Sequence, residues 1–312
     1  MKRIGFLLLS LVLSISVLIA PVIGCTDNRT EIATKTTESI TIVDDLGREV
    51  TIEKKPMKIV SLAPSNTEIL FALGLGDRVF GVTERCDYPE EALTKEKVGG
   101  YSDVDIEKVV AIDPDLILAE DIHKQEVIPA LERLGFTVVA LVPHNLQEMM
   151  DSITLIGRLT DTQEKASQIV DDMSQRIKAI TEVTDGLAED EKTRVLYVIW
   201  REPIMSVGTD TGIHELIEKA GGINIARFAG EGWPTLALEE IVSINPHVII
   251  VNDDVSLQAI LNETRLSGTD AFVNGRVYSI NADLTNRPTP RIVEGLEIMA
   301  KMIHPELFGG VG

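Results

Sequence analysis

The sequence predicts an α/β protein of two similar lobes, each with a central, largely parallel sheet. One long α-helix joins the lobes, and a ligand cleft lies between them. Three observations lead to this. From Lys58 onward short apolar runs alternate with helical patterns, the signature of strand–helix–strand units. A helical stripe near the middle of the chain runs ~20 residues, and at ~1.5 Å per residue it spans ~30 Å, enough to cross a small domain. Finally, DIEKVVAIDPDLILAED (105–121) and ALEEIVSINPHVIIVND (237–253) echo each other at a constant offset of 132 residues.

The first segment stands apart from that pattern. Lys2 and Arg3 give a basic start, and residues 4–23 are almost wholly apolar. Such a run is long enough to span a bilayer, which takes ~20 apolar residues. It ends, however, in Val22-Ile23-Gly24-Cys25, with polar Thr26-Asp27-Asn28-Arg29 immediately after. This resembles the lipobox of secreted lipoproteins, where small residues precede a cysteine that is lipidated and becomes the new N-terminus. Residues 1–24 are therefore read as a signal peptide and Cys25 as the lipidation site. The alternative is an uncleaved anchor helix, and export follows under either reading. Residues 25–39, polar and Thr-rich, read as a lipid-anchored flexible tether.

The N-terminal lobe is placed at 40–160. Its leading β-hairpin alternates on both sides of Asp45-Leu46-Gly47 and ends at Pro56. Strands are expected at 59–62, 79–82, 116–119 and 137–141, with helices near 67–73, 106–112 and 125–134. Ser65-Asn66-Thr67-Glu68 has the spacing of a capping box at the first of these helices. A further helix is expected over 147–158. Thr160 or Asp161 then caps the linker helix, placed at 161–188, whose apolar stripe is Ala166, Ile169, Val170, Met173, Ile177 and Ile180. The C-terminal lobe fills 189–312, with strands at 195–199, 248–251 and 277–280. Its helices lie near 213–220, 238–244, 255–261 and 291–303.

In the two echoing segments, six of seventeen positions are identical: Glu107/Glu239, Val110/Val242, Ile112/Ile244, Pro114/Pro246, Ile117/Ile249 and Asp121/Asp253. A shared apolar period accounts for the valines and isoleucines of any helix–Pro–strand unit. It does not account for the matched glutamates at each helix start, so duplication of a lobe is the preferred reading.

Charge narrows the partners. Formal net charge is −20, and loss of the signal segment removes Lys2 and Arg3 with no acid, giving −22. An acidic surface repels polyphosphate and anionic lipid, so neither nucleic acid nor a charged bilayer is an expected partner. A lipid on Cys25 would hold the protein to the membrane, each buried CH₂ contributing ~0.8 kcal/mol. With Cys25 so used, Cys86 has no partner, and no intramolecular disulfide is expected even in an oxidising compartment. Its simplest role is that of a small buried hydrophobe.

Signatures of chemistry are mostly missing. The chain has no Gly-x-x-x-x-Gly-Lys-Ser/Thr loop and no Gly-x-Ser-x-Gly elbow. Its histidines (His123, His144, His214, His247 and His304) are dispersed, so no metal site is expected. The acidic pairs Asp44-Asp45 and Asp171-Asp172 read as solvated faces. No catalytic residue is assigned. A cleft between strand ends is where ligands of such sheets bind. Loops able to reach it carry Arg85, Tyr101, Trp200, Arg201, Trp233 and Arg287, and Ser65 and Asn66 sit on the first strand–helix turn. Both tryptophans fall in loops rather than core strands, which favours a site over lid packing. An indole on a flat macrocycle contributes ~0.5–1.5 kcal/mol beyond burial, and arginine suits carboxylate, amide oxygen or phosphate.

KIVSLAPSNTEILFALG (58–74), the Cys86-Asp87-Tyr88-Pro89 turn, Val98-Gly99-Gly100-Tyr101-Ser102 and the two Glu-bearing helices resemble the cobalamin and ferric-siderophore periplasmic binding proteins. These are the substrate-binding components of ABC importers. The likeness runs from the Ile40 hairpin to the last helix. It implies two α/β lobes on one stiff helix, the class III arrangement, with little closure on binding. It also implies that Glu107 and Glu239, one per lobe, dock onto arginines of a two-fold permease. Both glutamates also favour their own helix N-termini, by about 0.3–1 kcal/mol each. By the family's pattern Arg85, Tyr101, Trp233 and Arg287 line the cleft, with Trp200-Arg201 beside them. Some positions aromatic in cobalamin binders are charged here, Arg85 and Glu120 among them, which leaves the cargo open.

The expectation is thus a monomeric, lipid-anchored, extracytoplasmic binding protein without a cofactor of its own. It captures a corrinoid and delivers it to an ABC permease dimer with ATPase subunits. A ferric siderophore or haem is the alternative cargo. An enzyme with a metal cofactor in the cleft, or a sensor or adhesion lipoprotein reusing the scaffold, are the rivals from other classes.

Overall fold

The computed structural model describes residues 39–310; the expected signal segment, Cys25 and the tether up to residue 38 lie outside them. The chain begins with an antiparallel hairpin, β1 (Ile40–Val43) and β2 (Glu49–Ile52). The first lobe follows as β3 (Ile59–Ser61), α1 (Pro64–Ala72), β4 (Val79–Val82), β5 (Glu96–Lys97), α2 (Ile106–Ile112), β6 (Leu116–Ala119), α3 (Val127–Arg133) and β7 (Val138–Ala140). Helices α4 (Leu146–Thr160) and α5 (Gln163–Thr184) lead to the second lobe. It is built from β8 (Thr193–Val198), α6 (Gly212–Lys219), β9 (Gly222–Asn224), α7 (Leu238–Ile244), β10 (Val248–Asn252), α8 (Leu257–Leu261), α9 (Asp270–Val273), β11 (Val277–Ile280), α10 (Asp283–Asn286), α11 (Ile292–Ile303) and α12 (Pro305–Phe308).

Both sheets are wholly parallel, in the orders β5-β4-β3-β6-β7 and β11-β10-β8-β9. Their central strands read as unbroken apolar runs because both faces are buried. Alternate residues serve different cores. Leu116 and Leu118 of β6, with Val195 and Tyr197 of β8 and Val248 and Ile250 of β10, belong to one cluster that runs through both lobes. Ile117 and Ala119 face a separate core in the first lobe, and Leu196, Val198, Ile249 and Val251 face one in the second. Helix α5 closes the shared cluster with buried Ala166, Met173 and Ile180, flanked by Ile169, Val170 and Ile177. That is the stripe expected from the sequence. A continuous core through both lobes opposes a wide hinge motion.

The repeat is visible in the backbone. Helices α2 and α7 are each seven residues long. Each ends on a left-handed residue, Asp113 at φ 54° and Asn245 at φ 56°, where a short polar side chain is better tolerated than a branched one. Pro114 and Pro246 then bar any further helix, and the central strands β6 and β10 follow. Matching amides tie each unit to its neighbouring strand: Asp115 N donates to Lys58 O at 2.7 Å, and His247 N to Arg194 O at 2.9 Å.

Three sequence expectations are corrected. Helix α1 starts at Pro64, with Ala63 as its cap and no side-chain cap bond, so Ser65 and Glu68 form no capping box. Proline at the first helical position moved the start ahead of Ser65. Helix α4 runs through Thr160, whose hydroxyl bonds back to Ile156 O, and Asp161 terminates it at φ 61°. Thr160 and Asp161 therefore end one helix instead of capping the next. Asp44 is buried, not solvated. Its carboxylate accepts the amides of Leu46, Arg48 and Ala140 and pairs with Arg48, pinning the hairpin turn to β7.

Candidate functional site

The two sheets turn the loops at their carboxyl ends toward each other. Helix α1 follows β3, and Asp87 lies beyond β4; both reach the second lobe through the segment between α10 and α11. The Glu68 side chain, only 2 % exposed, accepts from Arg287 Nη1 at 3.1 Å and from Arg291 Nε and Nη2 at 2.8 Å each. Arg287 also reaches Asp87 at 2.7 Å and Asp283 at 2.9 Å. The hydrogen bond from Arg287 holds the Asp87 carboxyl below its ordinary range, while burial pushes Asp283 above it. The Arg291 guanidinium lies 3.7 Å from the centre of the Tyr88 ring. Arg287, a candidate for ligand contact, is thus committed to three carboxylates, of which Glu68 and Asp87 bridge the lobes and Asp283 comes from its own.

A second network sits at the end of β6. Glu120 accepts hydroxyl hydrogen bonds from Ser65 on one oxygen and from Tyr101 on the other. Burial, then the Glu120 charge, raises the Tyr101 phenol, so it stays protonated and donates. The Glu120 amide donates to His123 Nδ1 at 3.0 Å, which leaves His123 Nε2 to donate to Tyr101 O at 2.8 Å. Burial lowers the His123 pKa, consistent with this neutral tautomer. Asn66 Nδ2 donates to Ala119 O at 3.2 Å. Ser65 and Tyr101 thus hold a half-buried carboxylate, while Asn66 and His123 fix the backbone on either side of it.

The remaining candidates present open surface. Trp200 is 58 % exposed, its indole N–H bonded to Glu202 O at 3.0 Å, and Trp233 is 53 % exposed. The Trp233 loop is tied down by backbone bonds, Gly208 N to Gly232 O at 2.7 Å and Ser206 N to Pro234 O at 2.9 Å. Trp233 borders an interlobe pocket of about 260 Å³ shared with His144, Asp210, Thr211, Asn286 and Ile292. A wider hollow of about 710 Å³ lies between α1, the Tyr88–Pro89 turn and Pro290-Arg291. Arg85 and Arg201 are exposed and make no hydrogen bond or ion pair among the described residues. The structure therefore gathers Ser65 and Tyr101 on Glu120, ties Asn66 to the neighbouring Ala119 carbonyl and sets Arg287 in the bridge, while Arg85, Trp200, Arg201 and Trp233 stand on loops.

Sequence reasoning passed over the pairing of Glu68 and Arg291, whose partners are more than 200 residues apart. It also passed over Phe228, 76 % exposed beneath the Arg227 guanidinium at 4.8 Å. An aromatic next to a glycine-rich loop was the available signal for Phe228. Glu107 and Glu239 are both exposed in the first turns of α2 and α7. Among the described residues no group of three or more His, Cys, Asp or Glu is placed to hold a metal ion. Cys86 is fully buried and its sulfur lies against the hydroxyls of Thr67 and Thr83.

Two parallel-sheet lobes on a shared core, with aromatic and arginine side chains on the loops between them, define a solute-binding protein rather than an enzyme. The chain belongs to the periplasmic binding protein family, whose model matches residues 59–284. It is 37% identical over 274 residues to the uncharacterized ABC transporter substrate-binding lipoprotein YvrC of Bacillus subtilis, covering 86% of this chain and 87% of that one. The vitamin B12-binding protein of Vibrio cholerae is 30% identical over 241 residues, 77% of this chain and 86% of the relative. Its crystal structure superposes with a TM-score of 0.69, over 80% of this chain and 96% of that one. A possible iron-binding, periplasmic solute-binding protein from Staphylococcus epidermidis gives 0.71 at 29% identity, over 80% of this chain and all of that one. Among the described residues no helix is long and apolar enough to cross a membrane.

Proposed function

We propose that this protein is the lipid-anchored, extracytoplasmic binding component of an ABC importer, and that it captures a corrinoid for delivery to a permease dimer. The observation that carries the reading is the placement of both tryptophans, each more than half exposed on loops of the second lobe. Exposed indoles have a function when a flat, largely apolar macrocycle covers them. Trp200 and Trp233 pack on the corrin, while unpaired Arg85 and Arg201 meet amide oxygens or phosphate at its edge. Ser65, Asn66 and Tyr101 line the first-lobe wall, and Arg287 braces that wall against the second lobe. Support comes from the 30% identity to a vitamin B12-binding protein over most of both chains. Lipidation at Cys25 agrees with the lipoprotein relative. Glu107 and Glu239 supply one acidic docking point per lobe for a two-fold basic partner.

Titration of the mature protein with cyanocobalamin tests this directly. Sub-micromolar binding that quenches tryptophan emission is expected; its absence rejects the corrinoid. A ferric siderophore or haem is the second reading, favoured by the likeness to a possible iron-binding protein. The same titration with those ligands separates the two. A Cys25→Ser variant that is still exported but leaves the membrane fraction is the expected result for the anchor.

A further inference from the structure

We infer that Glu120 sets ligand specificity: it takes N–H donors from the rim of a neutral or cationic chelate and rejects a carboxylate placed at the same point. This deepens the proposed function and rests on the cleft being the ligand site. Glu120 follows β6, which is flanked in the sheet by β3 and β7, and the loops after β3 and β4 at the same sheet end reach Arg287 and Arg291 of the second lobe. Its carboxylate therefore stands at the cleft end of the first lobe, half-buried. An ionised carboxylate has about four acceptor positions. Ser65 and Tyr101 fill one on each oxygen, which fixes the group's orientation and leaves acceptor capacity for a ligand. No arginine or lysine pairs with it among the described residues.

The surroundings reinforce the selection. Arg287, the cation nearest in type to an anion receptor, is occupied by Glu68, Asp87 and Asp283. The unpaired arginines, Arg85 and Arg201, lie on other loops and suit oxygen acceptors elsewhere on the same ligand. A net charge of −20 repels polyanionic chelates at long range as well. A periphery of primary amides satisfies both kinds of group, donating to Glu120 and accepting from arginine. Removing an amide N–H there leaves the ligand-facing part of the covered carboxylate unsatisfied, and replacing it with a carboxylate places two like charges together.

The test compares cyanocobalamin with derivatives in which single peripheral amides are hydrolysed to carboxylates, and a cationic ferric trihydroxamate with an anionic ferric tris-catecholate. The wild-type protein is expected to prefer the amide form, or the cationic iron chelate, by about tenfold or more. Glu120→Gln should bring the two members of each pair within about threefold. Glu120→Asp, which keeps the charge, should retain most of the preference. Unfolding midpoints of the variants within a few degrees of wild type show that the change is in recognition. If corrinoids fail to bind while the two iron chelates still rank by charge and lose that ranking in Glu120→Gln, the cargo reading falls and the role of Glu120 stands. Preference unchanged in Glu120→Gln, or no ranking by charge in either pair, overturns the inference.

Discussion

Glu68 of the first lobe and Arg291 of the second form a two-point ion pair, both contacts 2.8 Å, between residues 223 apart in sequence. The carboxylate is almost sealed from solvent and the guanidinium rests on the Tyr88 ring. Removing only the acid strands the Arg291 guanidinium, 17 % exposed, and takes from Arg287 one of its three carboxylates. Glu68→Gln is therefore expected to lower the free energy of unfolding by about 3–5 kcal/mol, the cost of orphaning a buried pair. Urea denaturation at neutral pH measures it. A double cycle with Arg291→Met should show strong coupling, and additive losses would mean that the pair is not a unit.

That bridge marks the limit of what the sequence disclosed. Strands β3, β6, β7, β8 and β10 were legible because burial on both faces writes them as apolar runs, and β4 and β11 because they are rich in β-branched and aromatic residues though partly exposed. Strand β5 is two polar residues, Glu96-Lys97, at a sheet edge, and β9 is Gly222–Asn224 at another, so neither carries a pattern. The fold class and the long helix followed from period and length. Of the candidate site, the loop placement of Trp200 and Trp233 was legible, and Ser65 and Tyr101 were named without their shared partner Glu120. Glu68 looked like a local cap because its real partners come from the other end of the chain. No local rule pairs Glu68 with Arg287; only tertiary packing does.

Acid should loosen the contact between the linker and the last long helix. Arg176 of α5 holds Glu297 of α11 through Nε and Nη2 at 2.8 and 2.9 Å. That hydrogen bond keeps the Glu297 pKa below its ordinary 4.5. A lowered folded pKa means the pair stabilises fully above about 4.5 and its contribution is lost as pH falls through the folded value. Glu297 is 37 % exposed, so solvent screening limits the contribution to about 0.5–1 kcal/mol. The stability gap between wild type and Glu297→Gln should hold from pH 7 to about pH 5 and then close. A gap that widens on acidification contradicts the assignment.

The Trp233 loop is held by an approach that only glycine permits. A Cβ on Gly208 would fall 2.6 Å from both Gly230 O and Glu231 C, backbone atoms that cannot swing aside. Gly208→Ala must therefore push the loop away or break the 2.7 Å bond from Gly208 N to Gly232 O. The expected cost is about 1–3 kcal/mol of stability. If Trp233 stacks on the corrin as proposed, displacing it should also weaken cyanocobalamin about threefold to tenfold. In a Trp200→Phe background Trp233 is the single indole, and its emission maximum reports the displacement. A shifted emission maximum together with unchanged affinity would remove Trp233 from the site.

The paired glutamates offer the sharpest separation of binding from delivery. Glu107 and Glu239 occupy equivalent places in the duplicated helix–proline–strand units, exposed in the first turns of α2 and α7. Neither has an ion pair or side-chain hydrogen bond among the described residues. Replacing both by arginine removes two favourable charges at helix N-termini, at about 0.3–1 kcal/mol each. The double variant should therefore fold, keep its cyanocobalamin affinity within about twofold and fail to support uptake. Charge reversal at one position alone should give partial uptake, since one acidic point still meets its basic counterpart. Restoration by compensating acidic substitutions on the permease would fix the contact, and normal uptake by the double variant would refute it.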